Sequence, residues 1–191
     1  MDMIDLNKIF IVDNAFPEWF HQYIERRTRG IPWEFRERVH TPDYTESSLS
    51  YNNHNNPNDP ISMAEIINDA LTIDVIPSVM PNVKITGFFG IRWNGTIKGH
   101  CPSIHRDNND DSHEFESQWT IVYFVNESDG DLLFFDDDQT TEIMRCEYKR
   151  GRAVIFPSNI YHRATDPVTN NLRITFAAQY YMYQQIGHKI V

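Results

Sequence analysis

Three side chains in this sequence have the types and spacing of a metal site: His105 and Asp107, one residue apart, and His162, 57 residues further on. Two neutral imidazoles and one carboxylate are the ligand set of a non-haem Fe(II) that activates O2. Such an iron needs few protein ligands. They take one face of an octahedron and leave three positions for a bidentate 2-oxo acid and for O2. On an extended chain, residues i and i+2 point the same way, so His105 and Asp107 can reach one ion. Arg173 follows His162 by 11 residues. A buried arginine is costly unless it is paired. A dicarboxylate such as 2-oxoglutarate supplies that pair as a bidentate, charge-assisted contact. Thr175 has the parity of Arg173 and offers a hydroxyl donor beside it.

Each feature has a duller explanation alone. A single His-x-Asp arises by chance, His162 can be an ordinary core histidine, and Arg173 can be a strand-edge charge. Their order inside one β-rich half gives them joint weight. His-Arg-Asp also opens the protein-kinase catalytic loop, where an Asn falls five residues after the Asp. Here that position is Ser112, and the Gly-rich loop and Asp-Phe-Gly of a kinase are missing. The other histidines, His21, His40, His54, His100, His113 and His188, lack the pattern. They are expected at the surface or around the site.

The elements that must position these residues are two helices followed by many short strands. Ile9 to Val12 reads as a strand. Pro17 to Arg27 reads as a helix, with Phe16, Phe20, Tyr23 and Ile24 at helical spacing. Thr45 to Pro60, rich in Ser, Asn and Pro, reads as a long loop, and such loops are commonly functional or disordered. A second helix is expected from Ile61 to about Ile76, ended by Pro77 and Pro81. Strands are expected over Val83–Trp93, Trp119–Val125, Leu132–Phe135, Thr141–Tyr148, Ala153–Phe156 and Leu172–Met182. Asn94-Gly95, Asp129-Gly130, Gly151 and Asn170-Asn171 read as the turns between them. Lys149-Arg150-Gly151 suggests a hairpin. The expected fold is mainly β with N-terminal helices around a jelly-roll core. It forms a single domain over 1–191: strand, helices and long loop over 1–82, catalytic core over 83–185.

With 40% hydrophobic and 13% aromatic residues, the chain can bury a substantial core. The net charge of −10 disfavours nucleic acid as a partner, because phosphate binding needs clustered Lys and Arg. The acidic runs 107–111 and Asp136-Asp137-Asp138 read as solvated loops. Apolar stretches such as Ile121 to Val125 are too short to span a bilayer, so no membrane partner is expected. Met1 to Asp5 lacks the basic and apolar regions of a leader. Two cysteines, Cys101 and Cys146, make no disulfide framework, and a reducing cytoplasmic setting is expected.

Residues 85–183 resemble the catalytic domain of 2-oxoglutarate- and Fe(II)-dependent oxygenases, in the prolyl 4-hydroxylase-like branch. The resemblance is carried by Arg92-Trp93-Asn94-Gly95 leading to His105-Arg106-Asp107, by Trp119 to Asn126, and by Asp129 to Phe134. Its most specific part runs from Gly151-Arg152-Ala153-Val154-Ile155-Phe156-Pro157-Ser158 through His162 to Arg173-Ile174-Thr175-Phe176. Ile9 to Phe16 is similar to the usual strand-then-helix entry. The resemblance implies a double-stranded β-helix with His105, Asp107 and His162 on Fe(II). Arg173 would hold the C5 carboxylate of 2-oxoglutarate, with O2 as oxidant and ascorbate as an accessory reductant. It implies release of succinate and CO2 and hydroxylation of a peptidyl, including prolyl, or small-molecule substrate. Related halogenases lack the carboxylate ligand, so Asp107 favours hydroxylation. A tyrosine that often faces the co-substrate is replaced here by Phe124, with Tyr123 beside it. Thr120 and Thr175 are then the candidates for the second carboxylate donor. Trp93 and Tyr123 are the candidates for the substrate pocket.

Two other functions remain open. A nucleic-acid dealkylase of the same fold usually has a second arginine six residues after the first, where this chain has Gln179. A jelly-roll binding protein without catalysis has no use for His, Asp, His and Arg together. The oligomeric state is open. Thr45 to Pro60 is a candidate substrate-covering segment.

Overall fold

The computed structural model describes residues 9–31, 33–41, 44–52, 63–108, 117–169 and 172–184. In chain order these form β1 (Phe10–Val12), α1 (Glu18–Thr28), β2 (Glu34–Thr41), β3 (Tyr44–Asn52), α2 (Met63–Ala70), a π-helical turn (Leu71–Val75) and α3 (Ile76–Val79). The strands β4 (Val83–Ile97), β5 (Ser117–Phe124), β6 (Leu132–Phe135), β7 (Glu142–Cys146), β8 (Ala153–Pro157), β9 (Tyr161–Ala164) and β10 (Leu172–Gln184) follow. They make a seven-stranded sheet, ordered β1-β8-β5-β10-β4-β3-β2, and a three-stranded sheet, ordered β7-β6-β9. All strand pairs are antiparallel. The two sheets facing each other are the expected double-stranded β-helix.

Side chains alternate across a strand, so the large sheet has two different faces. Trp119, Ile121 and Tyr123 of β5, Ile91 and Trp93 of β4, and Phe176, Ala178 and Tyr180 of β10 pack in one core with Phe16, Phe20, Ile24, Ile67 and Leu71 from the helical layer. Val122 and Phe124 of β5 and Val154 and Phe156 of β8 pack in a second core with Leu132, Phe134 and Cys146 of the small sheet. The site lies on this inner side.

Several local expectations change. Thr45 to Pro60 begins as strand, not loop: β3 runs to Asn52 and pairs with β2 and β4. Ladder pairing on both sides overrides a composition poor in apolar residues. Residues 53–62 lie outside the described residues. β1, β2 and β3 all join the large sheet, which therefore crosses the boundary expected at 82/83. Asn94-Gly95 is not a turn but the middle of β4, where Gly95 faces Ile174 on one side and Leu49 on the other. The turn comes at Lys98-Gly99, with Gly99 at φ 82°. Asn170-Asn171 lies outside the described residues. Lys149-Arg150-Gly151 is no hairpin either. It carries the chain from β7 in the small sheet to β8 in the large one.

Pro77 does not end the second helix, which continues to Val79. Proline has no N–H to give the turn before it and crowds that turn's carbonyl. The chain meets this with the π-helical turn, whose end is marked by the Ile76 N–H bonded to the Leu71 carbonyl. His21 is not at the surface. It lies on the buried face of α1 with Phe20 and Ile24 and hydrogen-bonds the Tyr123 hydroxyl. Among the described residues no disulfide joins Cys101 and Cys146, and no helix is long and apolar enough to cross a membrane.

Candidate metal centre

His105 leads into the metal site through a single β-bridge. Its N–H donates to the His162 carbonyl (3.0 Å) and the His162 N–H returns to the His105 carbonyl (2.9 Å). This one contact brings together residues 57 positions apart. The next turn of chain is fixed by Ser158, whose carbonyl accepts the N–H groups of Asp107 (2.9 Å) and Asn108 (3.1 Å). The ligand atoms of His105, Asp107 and His162 all lie within 4.8 Å of one another.

Both imidazoles are oriented by main chain. Nδ1 of His105 meets the Ser103 carbonyl at 2.9 Å, and Nδ1 of His162 meets the Ile160 carbonyl at 3.0 Å. Each contact requires Nδ1–H, which leaves an acceptor lone pair on Nε2. The two Nε2 atoms point at the Asp107 carboxylate, 3.8 Å from Oδ1 and 3.7 Å from Oδ2. The Thr120 hydroxyl donates to Asp107 Oδ2 (2.7 Å) and shares a hydrogen bond with the Ser158 hydroxyl (2.8 Å). Burial alone would raise the Asp107 carboxyl. The imidazoles of His162 and His105 and the Thr120 hydrogen bond outweigh it and hold it below the usual value, with help from Arg92. Burial keeps the His162 imidazole neutral to lower pH than usual, which suits a metal ligand. The donor set fits Fe(II): two imidazole nitrogens and a carboxylate oxygen converge. The His105 side chain is 44% exposed against 6% for His162, so the site opens on the His105 side.

Arg173 enters from β10 and is almost fully buried. Its Nε–H donates to the Gly130 carbonyl at 2.7 Å, and its guanidinium lies 5.4 Å and 5.0 Å from the ring centres of Phe124 and Tyr148. Nη2 is buried with no hydrogen-bond partner among the described residues. A cation with an unspent donor in an apolar cage fits a carboxylate ligand. Gly130 makes room for it: a Cβ there would sit 2.5 Å from the Thr165 carbonyl oxygen and 2.7 Å from Arg173 Cδ. Thr175 lies on the inner face beside Arg173, opposite Phe124 on β5.

The other sequence candidates are redistributed. Thr120 does not stand beside Arg173. It lies opposite Gln179, six residues along β10 from Arg173, and its hydroxyl is committed to Asp107. Trp93 and Tyr123 are not in the pocket. Trp93 packs on Phe176 (ring centres 5.3 Å apart) and Tyr123 on Phe16 (4.8 Å), in the core under the helices. Their aromatic character suits either core, and only the strand parity decides. Phe134 and Phe156 lie in the inner core, with Phe156 packing edge-on to His162 at 4.8 Å. Ser158, Gly130 and the main-chain acceptors of Ser103 and Ile160 were not singled out in the sequence. A small hydroxyl residue four positions before the distal His is a weak signal, and a carbonyl has none.

Residues 93–181 match the family model described as the 2OG-Fe(II) oxygenase superfamily. A search of curated proteins finds no match. Among solved structures, the fold resembles a prolyl hydroxylase from Trichoplax adhaerens in complex with a hypoxia inducible factor peptide. The TM-score is 0.63 at 13% identity, over 93% of this chain and 85% of that one. A Pseudomonas putida prolyl-4-hydroxylase gives 0.58 at 16% identity, covering 91% of both chains. The non-haem α-ketoglutarate-dependent carbocyclase SnoK from nogalamycin biosynthesis gives 0.66 at 9% identity, over 95% of this chain and 85% of that one. At such identities the structural likeness speaks for the oxygenase fold. Prolyl hydroxylases are one branch among several with this fold.

Proposed function

We propose that this chain is an Fe(II)- and 2-oxoglutarate-dependent dioxygenase that hydroxylates a peptidyl substrate, with prolyl peptides the first to test. The observation that carries it lies between the two sheets, where the 105–107 segment meets β9 of the small sheet across from β10 of the large one. There three candidate ligands converge, with both Nε2 atoms turned to the Asp107 carboxylate, and β10 carries a buried arginine with an unspent donor. Bound there, iron with 2-oxoglutarate and O2 would supply the oxidising power and yield succinate and CO2. His105, Asp107 and His162 hold the metal, and Thr120 fixes the carboxylate on one oxygen. Arg173 binds the distal carboxylate of 2-oxoglutarate, with Thr175 as the second donor. Phe124, Phe134 and Phe156 keep water from the inner wall.

The peptidyl reading is supported by the opening on the exposed His105 side and by a peptide-bound prolyl hydroxylase among the similar structures. A small-molecule substrate is the second reading, favoured by the likeness to a carbocyclase of a biosynthetic pathway. The free thiols agree with a cytoplasmic setting. Succinate release across capped prolyl peptides, free amino acids and alkylated oligonucleotides tests the proposal. Peptide-dependent release, abolished by Asp107→Ala, is expected. Release stimulated only by free amino acids would give the small-molecule reading, and release with none of the substrates, at background iron loading, would contradict both.

A further inference from the structure

The middle residue of His105-Arg106-Asp107 is unused by the chemistry above, and so is the acidic turn 136–138. The structure joins them. The bridge sets His105 opposite His162, so Arg106 stands opposite Tyr161 on the other side of the same pair of segments. The Arg106 guanidinium carbon lies 3.9 Å from the centre of the Tyr161 ring. Its Nη2 donates to Asp137 Oδ1 at 2.6 Å. Asp137 is held in a tight turn between β6 and β7: its N–H donates to Asp136 Oδ1 (2.8 Å), and Asp138 Oδ1 accepts the N–H groups of Thr140 and Thr141, both at 2.8 Å.

The Cys101 thiol, bonded to the Ala164 carbonyl at 3.2 Å, ties the start of the ligand segment to β9, and Arg106 ties its centre. The 105–162 bridge is isolated, with no ladder on either side of it. Two candidate ligands sit on a segment held inward by main-chain bonds to His162 and Ser158 and by Thr120 on Asp107, with Arg106 as its outward fastening. An ion pair as exposed as Arg106–Asp137 (23% and 42%) is weak alone. Stacked on a ring and paired at once, the planar guanidinium is fixed in one geometry.

We propose that Arg106 is a positioning residue of the metal centre, clamping the ligand segment 105–107 to Tyr161 of β9 and to Asp137 of the β6–β7 turn. The clamp presets the distance between the His105–Asp107 pair and His162 before metal arrives. It rests on His105, Asp107 and His162 being the metal ligands.

The test is Mn(II) titration of the metal-free protein, followed by the signal of free Mn(II) in electron paramagnetic resonance. Partners that orient metal ligands typically matter by about tenfold or more in affinity. Arg106→Ala should weaken Mn(II) binding by about tenfold, with the melting temperature of the metal-free protein unchanged. Tyr161→Leu should do the same, and the double variant should be no weaker than the worse single one, because the pair acts as a unit. Arg106→Lys should fall between, keeping the charge but losing the planar stack. Wild-type affinity in Arg106→Ala, or simple addition of the two single effects, would overturn the clamp. If Arg106→Ala does not fold, Arg106→Lys and Asp137→Asn decide: weaker binding supports it, and wild-type affinity in both overturns it. Asp107→Ala run alongside separates the two levels. Loss of binding there with Arg106→Ala unaffected rejects the clamp alone. Wild-type binding in Asp107→Ala rejects the ligand assignment itself.

Discussion

The two faces of the large sheet are built from the same strands and spend polar groups in opposite ways. Under the helices, β4, β5 and β10 present Trp93, Tyr123, Phe176 and Tyr180, packed ring against ring. Two hydroxyls there dock the helices: Tyr123 bonds His21 of α1, and the Tyr180 hydroxyl donates to Asn68 of α2 at 3.1 Å. On the inner face, one residue along, the same strands present Thr120, Arg173 and Thr175, all buried. There the Thr120 hydroxyl bonds Asp107, and Arg173 Nη2 is buried without a hydrogen-bond partner among the described residues. One face stabilises, and the other carries a costly buried arginine, which the proposed binding of 2-oxoglutarate would explain.

Substitutions should therefore separate along parity. The largest effect is expected from Trp93→Ala, which empties a fully buried site and should cost about 3–5 kcal/mol in denaturant unfolding. The 2-oxoglutarate KM of the folded fraction should not change. Arg173→Leu should show the converse. It should lose about 2–5 kcal/mol of 2-oxoglutarate binding, read as KM, with stability equal to or above wild type. A rise in KM from Trp93→Ala, or a large stability loss from Arg173→Leu, would break the division of labour.

Smaller changes sharpen it. Gly130→Ala should push Arg173 aside and raise the 2-oxoglutarate KM without touching Mn(II) affinity, since the clash is with Arg173 and Thr165 rather than with the ligands. Tyr123→Phe should cost about 1–3 kcal/mol of stability by leaving His21 short of a partner, and leave KM alone. The smallest effect is in pH. Burial holds the His21 imidazole below its ordinary value, with Arg150 adding to the shift and Glu25 and Glu18 opposing it. The unfolded chain then takes up a proton that the folded chain refuses, so stability is full above the ordinary value of 6.5 and falls as pH drops below it. Melting curves from pH 7.5 to 5 should show this slope, and His21→Gln should flatten it.

The candidate site is legible where chemistry constrains residue type. His105, Asp107 and His162, whose ligand atoms lie within 4.8 Å of one another, stand out with Arg173 because no structural role asks for that set in that order. The strand runs after residue 83 were legible because their β-branched and aromatic residues and turn signals agree. What failed was decided by tertiary context. β3 is strand because β2 and β4 pair with it, and its Ser-rich sequence carries no such signal. Asn94-Gly95, a strong local turn signal, is overruled by two flanking strands. Trp93 and Tyr123 were misplaced by one residue of parity, which flips a side chain to the other face. Counting outward from Arg173 along β10 and across the β4 pairing would have shown the error, since Trp93 lies opposite Phe176 and not Thr175.

The central claim is that the inner face binds Fe(II) and 2-oxoglutarate as one unit. The most direct measurement is anaerobic addition of Fe(II) and then 2-oxoglutarate to the metal-free protein, watched in the visible spectrum. A weak metal-to-ligand charge-transfer band should appear only when both are present, vanish in Asp107→Ala, and need far more 2-oxoglutarate in Arg173→Leu. No band in the wild-type protein, or an identical band in Asp107→Ala, would contradict the account.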